Sequence, residues 1–123
     1  MPRVLIVEDD PLIARIVEIK LENRGYQVIR ASDGQEGLEA IRQHKPDVVL
    51  LDVMMPVMDG YQVLRILRGE AEFTSLPVIM LTAKGQERDI MSGLKEGATD
   101  YIVKPFSPSE VVERVEKVLN QGN

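Results

Sequence analysis

The sequence contains no cysteine and no tryptophan, and histidine occurs once among its 123 residues. Without cysteine the chain has no disulfide, no cysteine-ligated zinc or iron–sulfur site and no thiol nucleophile, so nothing supports an oxidising compartment. The single histidine, His44, has no second histidine with which to share a metal. We therefore interpret His44 as a solvated residue rather than a ligand or a phosphocarrier.

Basic charge, aromatic rings and long apolar runs are also scarce. Lys and Arg number 15 against 20 Asp and Glu, which gives a formal net charge of −5, and there are 3 Tyr and 2 Phe. A nucleic-acid surface needs clustered basic residues and stacking aromatics, so no direct nucleic-acid binding is expected. The longest apolar runs, such as 48–51, fall far short of the ~20 residues of a membrane helix, and no signal peptide is recognisable. We expect a soluble protein of the cytoplasm that does not act at a membrane.

The composition is that of one folded domain. Hydrophobic residues make up 44% of the chain and charged residues 28%, and the length is typical of a single domain. We assign residues 1–119 to this domain and residues 120–123 to a tail or the start of a linker.

Short apolar runs alternate with amphipathic stretches along the chain. The predicted strands are 3–7, 27–31, 48–51, 77–81 and 101–103. The predicted helices are 11–25, 34–45, 60–69, 86–96 and 108–119. Strict alternation of strand and helix with short turns predicts a parallel sheet covered by helices on both faces. The run 48–51 is apolar at consecutive positions, which is typical of a central strand that is buried on both faces.

Polar residues follow four of these strands. Asp9, Asp52, Thr82 and Lys104 stand at or just beyond the carboxyl ends of apolar runs. In open α/β sheets these ends share one edge, where ligands bind, so we expect the four side chains to converge. Clustered carboxylates are a site for a hard cation such as Mg²⁺. The Thr82 hydroxyl and the Lys104 ammonium suit a phosphoryl group.

Asp52 is the candidate nucleophile. It follows the most buried predicted strand, and a carboxylate beside a metal ion can attack phosphorus to form an aspartyl phosphate. Glu8 and Asp9 lie on a different strand and can hold the ion. An isolated aspartate at a strand end is more often a helix cap or a surface residue, and Asp10 before Pro11 is interpreted in this way. The expected convergence with Asp9, Thr82 and Lys104 is what favours a chemical role for Asp52.

The motifs in combination resemble the receiver domains of two-component response regulators. They are Val7-Glu8-Asp9-Asp10, Leu50-Leu51-Asp52-Val53-Met54-Met55-Pro56, Asp59-Gly60, Leu81-Thr82-Ala83 and Asp100-Tyr101-Ile102-Val103-Lys104-Pro105-Phe106. The resemblance covers essentially the whole chain. It implies a doubly wound (βα)5 flavodoxin-like fold with a five-stranded parallel sheet in the order 2-1-3-4-5.

The same resemblance implies a metal-assisted phosphoacceptor. Asp52 would accept a phosphoryl group from the phosphohistidine of a sensor histidine kinase or a phosphotransfer protein. Mg²⁺ would be held by Asp9, Asp52 and the Met54 carbonyl, with Glu8 acting through a water molecule. Glu8 stands where many members of the family have Asp, a longer side chain that still allows this contact.

It also implies a switch. Thr82 and Lys104 would contact the phosphoryl oxygens, Tyr101 would turn inward when Thr82 moves toward the phosphate, and the peptide between Lys104 and Pro105 would be cis. The simpler interpretation of each residue remains open: Lys104 as an exposed base, Thr82 as a helix cap and Tyr101 as a half-buried strand aromatic.

Three classes of function were compared. A phosphorylation switch, which is not an enzyme, fits the residues best. A small aspartate-nucleophile phosphatase is the alternative, but it needs a second carboxylate two residues after the nucleophile, where this chain has Met54. A flavodoxin-like carrier of a small ligand has little support, because no glycine-rich phosphate-binding motif is present.

We expect the switch to control a downstream effector or an output domain. The resemblance implies autophosphorylation from phosphodonors. Apolar Met54 cannot orient an attacking water, so we expect slow self-dephosphorylation; Lys84 stands at a second position that influences this rate in the family. Similarity of the last strand and helix to dimerising relatives predicts a possible homodimer on phosphorylation, although 90–92 lacks the charges of those relatives.

Overall fold

Five parallel strands form a single sheet in the computed structural model, which describes residues 2–83 and 96–121. The strands are β1 (Arg3–Val7), β2 (Gln27–Ala31), β3 (Val48–Asp52), β4 (Val78–Ala83) and β5 (Asp100–Lys104). The helices are α1 (Pro11–Asn23), α2 (Gly34–His44), α3 (Gly60–Arg68) and α4 (Pro108–Gln121), with a 3₁₀ turn at Ala71–Phe73. The predicted helix 86–96, Lys84 and the segment 90–92 lie outside the described residues, apart from position 96.

The strand order is β2-β1-β3-β4-β5, which confirms the doubly wound, flavodoxin-like fold. Neighbouring strands are parallel and run in register, with pairs that include Val7 with Leu51, Asp52 with Leu81, and Thr82 with Val103. Their carboxyl ends therefore lie along one edge of the sheet. This edge, which we call the rim, carries Glu8, Asp52, Thr82 and Lys104.

The core lies on both faces of the sheet. All five residues of β3 are buried. Val49 and Leu51 pack on the side of α2 and α3, whereas Val48 and Leu50 pack on the side of α1 and α4. Burying one such side chain contributes about 1.5–3 kcal/mol, so β3 is held firmly from both sides and fixes the backbone position of Asp52. Within the described residues, no helix is long and apolar enough to cross a lipid bilayer.

Local capping signals explain where the helices begin and end. The Asp10 carboxylate accepts a hydrogen bond from the Leu12 amide at 3.0 Å, which confirms its interpretation as the cap of α1. Asp59 and Gln62 form a reciprocal capping box at the start of α3. Gly25, predicted to end α1, has a φ of +92°, a conformation that glycine adopts without steric cost.

Several boundaries differ from the sequence prediction. Strand β4 was predicted to end before Thr82 but continues through Ala83, so the prediction was wrong at this end. The reason is that Thr82 and Ala83 pair with β5, a contact that polarity along the chain does not reveal. The last helix continues to Gln121, two residues past the predicted boundary at 119. The end of the domain stays a prediction.

Candidate functional site

Three carboxylates from two strands meet at the rim. Glu8 and Asp9 follow β1, Asp52 ends β3, and one oxygen of each lies within 4.8 Å of the others. Glu8 and Asp52 are buried, with 3% and 2% of their surfaces exposed, whereas Asp9 is exposed. The convergence expected of Asp9 and Asp52 is therefore present, with Asp9 on the solvent side.

Lys104 joins this cluster from β5. Its Nζ donates to Glu8 Oε1 at 2.9 Å and to Asp52 Oδ2 at 3.1 Å. The second oxygen of Asp52, Oδ1, accepts from the Met54 amide at 3.1 Å. The Lys104 side chain is 26% exposed, so these ion pairs are largely shielded from water. Among the described residues, one ammonium group faces three carboxylates, which leaves this part of the cluster with excess negative charge.

Burial and the neighbouring charged groups together shift the pKa values of Glu8, Asp9 and Lys104. Burial, reinforced by the adjacent Asp52, raises the pKa of Glu8. Slight burial and the neighbouring Glu8 raise the pKa of Asp9. Burial opposes the charged form of Lys104, but its hydrogen bond to Glu8 and the charge of Asp52 outweigh this, so the pKa of Lys104 is raised. Crowded carboxylates of this kind are stabilised by a positive ion among them.

The donor set fits Mg²⁺. This ion prefers oxygen ligands, takes one or two carboxylates and retains several waters. The cluster offers two buried carboxylates and one exposed carboxylate, and a cleft of about 360 Å³ beside Glu8 and Asp9 leaves room for waters. The acidic cluster therefore has the composition and the access of a Mg²⁺ site.

Thr82 carries a buried hydroxyl that lacks a partner. The residue is 1% exposed, and within the described residues nothing accepts from or donates to its Oγ1. A buried hydroxyl without a hydrogen bond costs roughly 1–3 kcal/mol. Such a group is explained most simply by a ligand that supplies the missing partner.

Tyr101 is more buried than a half-buried strand aromatic. It is 8% exposed and packs in the core on the side of α2 and α3. Its backbone carbonyl accepts from Arg114 Nη1 at 2.7 Å. The ring therefore already lies inward in this structure. The peptide between Lys104 and Pro105 is cis, as the resemblance implies.

The loop 53–59 connects Asp52 to α3, and its two ends are held together. The Gly60 amide donates to the Val53 carbonyl at 3.0 Å. A Cβ atom on Gly60 would lie 2.4 Å from the Asp52 carbonyl oxygen. In the sequence analysis, Asp59-Gly60 is only one of the motifs that carry the family resemblance, and this role of Gly60 in the support of Asp52 was missed. The contact is between residues of different elements, which spacing does not show.

A second missed feature is the tight turn within this loop. The Met58 amide donates to the Pro56 carbonyl at 2.7 Å, and the residue between them, Val57, has a φ of +70°. This combination is typical of the rare classic γ-turn. A left-handed conformation costs an L-residue about 1–2 kcal/mol and is unusual for a β-branched side chain. Val57 is 87% exposed, and Met54 beside Asp52 is 63% exposed.

Comparison with known proteins gives consistent results. Residues 4–116 match the family described as response regulator receiver domain. The chain is 44% identical to the DNA-binding dual master transcriptional regulator RpaA of Synechocystis sp., over 98% of this chain and 50% of that protein. It is 43% identical to the DNA-binding response regulator MtrA of Mycolicibacterium smegmatis, over 98% of this chain and 51% of that protein.

Solved structures agree. The Francisella response regulator 1452 receiver domain superposes with a TM-score of 0.91 at 37% identity and covers 100% of both chains. The chain spans about half the length of the curated relatives it matches.

Proposed function

This chain belongs to the response regulator receiver domain family, and we propose that its phosphorylation switch operates through Asp52, which accepts a phosphoryl group from a histidine kinase or phosphotransfer protein. The observation that carries the proposal is the environment of this carboxylate. One oxygen contacts Lys104 Nζ at 3.1 Å, the other contacts the Met54 amide, and two further carboxylates lie within 4.8 Å. An acceptor oxygen, a cation and a cluster able to take up a metal are thus together at one point.

The transfer reaction balances with the groups available. A carboxylate oxygen of Asp52 forms a bond to phosphorus, and the bond from phosphorus to the donor's histidine nitrogen breaks. The electron pair stays on that nitrogen, which takes up a proton. Positioning and neutralisation of charge are the main contributions a protein makes to this type of reaction.

We propose that Asp9, Asp52 and the Met54 carbonyl hold Mg²⁺, with Glu8 acting through water. When bound, the ion neutralises negative charge on the carboxylates and on the incoming phosphoryl oxygens. The crowding of Glu8, Asp9 and Asp52 beside the Lys104 ammonium supports this assignment.

The switch follows from the two groups beside Asp52. In the proposal, Lys104 keeps its contact with the phosphorylated side chain, and the Thr82 hydroxyl rotates to donate to a phosphoryl oxygen. The Thr82 Oγ1 has no hydrogen-bond partner in the part of the chain that the structure describes, which supports this role. A phosphoryl group adds about −1.5 to −2 charges, enough to bias a two-state element. Tyr101 lies on the neighbouring strand. In the proposal, the movement of Thr82 stabilises the inward position of the Tyr101 ring.

The chemical proposal is tested with acetyl phosphate and Mg²⁺. We expect the intact mass to increase by one phosphoryl group, and peptide mapping to place it on Asp52. Because the product is an acyl phosphate, hydroxylamine should remove the group, and a chelator present from the start should prevent its addition. A modification mapped to Ser, Thr or another carboxylate would contradict the proposal.

Mg²⁺ should stabilise the unphosphorylated protein. An ion that binds only the folded state adds about 2.7 kcal/mol at one hundred times its Kd. We therefore expect the melting temperature to rise with Mg²⁺ at constant ionic strength, and D9N to lose most of that rise. A melting temperature that ignores Mg²⁺, or a rise that persists in D9N, would count against this metal site.

The phosphorylated form should be long-lived. Met54 is exposed beside Asp52 but has no group to orient an attacking water. M54N supplies an amide that can hold such a water, so we expect its aspartyl phosphate to hydrolyse about threefold to tenfold faster. Decay is followed by intact mass after removal of the phosphodonor. Equal decay in both proteins would show that residue 54 does not set the lifetime.

The apolar side chain of Met54 also argues against the phosphatase alternative. A phosphatase that uses an aspartate nucleophile needs an acid or base to release the phosphate, and Met54 occupies the position where it would stand. A steady-state assay with phosphate monoesters separates the two functions, because a switch gives no sustained turnover.

The proposed partners are proteins. Relatives of about twice this length are named as DNA-binding regulators, which supports control of an output domain or effector rather than nucleic-acid binding by this domain. We place the switch in the cytoplasm, with residues 1–119 as the receiver domain and 120–123 as a tail or linker.

We also propose that the phosphorylated form is a homodimer, from the similarity of the last strand and helix to those of dimerising relatives. Arg114 on the last helix pairs with Asp100 on the last strand within one chain, at 3.2 Å, so the two elements form one continuous face. The expected result is a dimer mass in solution with beryllofluoride and a monomer without it. An unchanged monomer would exclude a dimer of the activated form.

A further inference from the structure

The γ-turn at Val57 is unusual in both conformation and exposure. Val57 holds a φ of +70° with 87% of its surface exposed. A residue forced into a left-handed conformation is normally glycine, asparagine or aspartate, because a branched Cβ clashes with the backbone there. Valine is therefore a poor choice for the turn itself.

Packing of the neighbouring residues explains why the turn exists. Met55 and Met58 pack against the core on the side of α2 and α3. The first residue of α2, Gly34, approaches Met58 so closely that a Cβ atom there would lie 2.7 Å from the Met58 carbonyl oxygen. With both methionines anchored inward, the chain between them must reverse within a few residues. This fixes the backbone but does not require a valine side chain.

The valine side chain gains little from packing within the described part of the chain. At 87% exposure it buries almost none of its apolar surface, so it does not repay the unfavourable conformation by packing. Strained residues that lack an internal reason cluster at binding and catalytic sites. The explanation for Val57 is therefore to be sought in a contact outside this chain.

The position of the turn identifies the partner. Loop 53–59 begins next to Asp52, and its ends are joined by the Gly60 amide and the Val53 carbonyl. Asp52 is 2% exposed, so a histidine side chain on another protein reaches it only across the rim. A protein phosphodonor that brings its phosphohistidine to Asp52 must therefore cover this loop, whereas a small phosphodonor does not need to.

We propose that Val57 is a docking and specificity residue for the protein phosphodonor, which buries the exposed valine in an apolar contact beside its phosphohistidine. This inference rests on the proposed function of Asp52. Exposed Met54 lies in the same loop and belongs to the same contact. The unfavourable conformation of Val57 is present in the free protein. In the proposal, the apolar contact with the donor compensates for it, and this explains a valine at position 57.

The experiment compares two phosphodonors on the full chain and on V57G, V57N and V57I. Glycine and asparagine tolerate a positive φ but remove the apolar side chain, whereas isoleucine retains it. The donors are acetyl phosphate and the autophosphorylated sensor kinase that modifies the unaltered chain fastest among the kinases of the source organism. I66A is the matched control, since Ile66 is also an exposed apolar residue but lies in the second half of α3, away from the rim.

We expect V57G and V57N to accept phosphate from the kinase about fivefold to tenfold more slowly, a change of the size that loss of one apolar contact produces. V57I and I66A should stay close to the unaltered chain. With acetyl phosphate, all variants should react at similar rates, and V57G and V57N should melt at the same temperature or higher. This combination separates loss of docking from loss of folding or of acceptor chemistry.

Three results would overturn the docking role. They are kinase rates that do not change in V57G and V57N, rates from acetyl phosphate that fall in parallel, and transfer to the unaltered chain from none of the kinases and phosphotransfer proteins of the source organism. If acetyl phosphate still modifies Asp52 in any of these cases, the proposed acceptor chemistry survives. If neither donor modifies Asp52, the proposed function itself is wrong.

Discussion

Replacing Asp52 with asparagine abolishes phosphoryl uptake without unfolding the protein; this is the largest effect we expect. Asparagine has nearly the same shape, and its single amide oxygen can keep one of the two bonds that the Asp52 oxygens accept, from the Met54 amide or from Lys104 Nζ. That oxygen is not a competent nucleophile. Removal of a nucleophile typically lowers a rate by about a thousandfold or more. We expect no added mass after incubation with acetyl phosphate under conditions that fully modify the unaltered chain.

The stability of D52N provides an independent check on the electrostatics. Asp52 contributes to the raised pKa of Glu8, since the two carboxylates oppose each other in a buried setting. Neutralising residue 52 removes this repulsion, while Lys104 keeps its bond to Glu8 at 2.9 Å. The melting temperature in the absence of metal should therefore stay the same or rise. The stabilisation by Mg²⁺ should become much smaller, because one ligand has lost its charge.

D47N is the matched control, with the same chemical change at the other end of β3. Asp47 is exposed and accepts from the Arg3 amide at 2.7 Å, a bond that asparagine can also form. We expect normal phosphorylation in D47N. Phosphorylation of D52N at the original rate would disprove the assignment of the acceptor, and so would loss of phosphorylation in D47N alone.

Replacing Gly60 with alanine is expected to lower both stability and the rate of phosphorylation. The new Cβ would lie 2.4 Å from the Asp52 carbonyl oxygen and 3.0 Å from the Val53 Cα. Both are backbone atoms, which cannot move aside as a flexible side chain can. Overpacking of this kind costs typically about 1–3 kcal/mol. The higher helix propensity of alanine returns at most about 1 kcal/mol, so the clash decides the sign.

The G60A substitution should slow phosphorylation because the backbone near Asp52 must move to relieve the clash. Relief of the clash shifts either the start of α3 or the backbone that carries Asp52, and both change the loop that supplies the Met54 amide. We expect a melting temperature several degrees lower, measured by calorimetry, and slower modification by acetyl phosphate.

G69A is the matched control for G60A. Gly69 follows the same helix at a φ of −83°, and its Cβ would lie 3.4 Å from the Ile66 carbonyl oxygen, an ordinary contact. This variant should fold and react as the unaltered chain does. If G60A is as stable and as reactive as G69A, the close packing of Gly60 does not support Asp52.

The sequence by itself determined the succession of elements and the chemical types at the rim. The signals for the elements are local: they are apolar periodicity, caps such as Asp10 and the glycine at residue 25. They were sufficient to predict the helices and strands, because the formation of these elements depends on nearby residues. The run 48–51 indicated a strand buried on both faces, and the structure agrees. The strand order came from the resemblance to a family, since pairing partners are distant along the chain.

Only the tertiary structure decided how the rim is built, because its contacts join residues that are far apart in the chain. Lys104 and Glu8 are 96 positions apart, yet they form an ion pair at 2.9 Å. The burial of Thr82 and Tyr101 depends on strand pairing and on the layers above, which no local pattern encodes. The positive φ of Val57 arises because Met55 and Met58 both pack against the core, so the turn is imposed by packing against the rest of the fold.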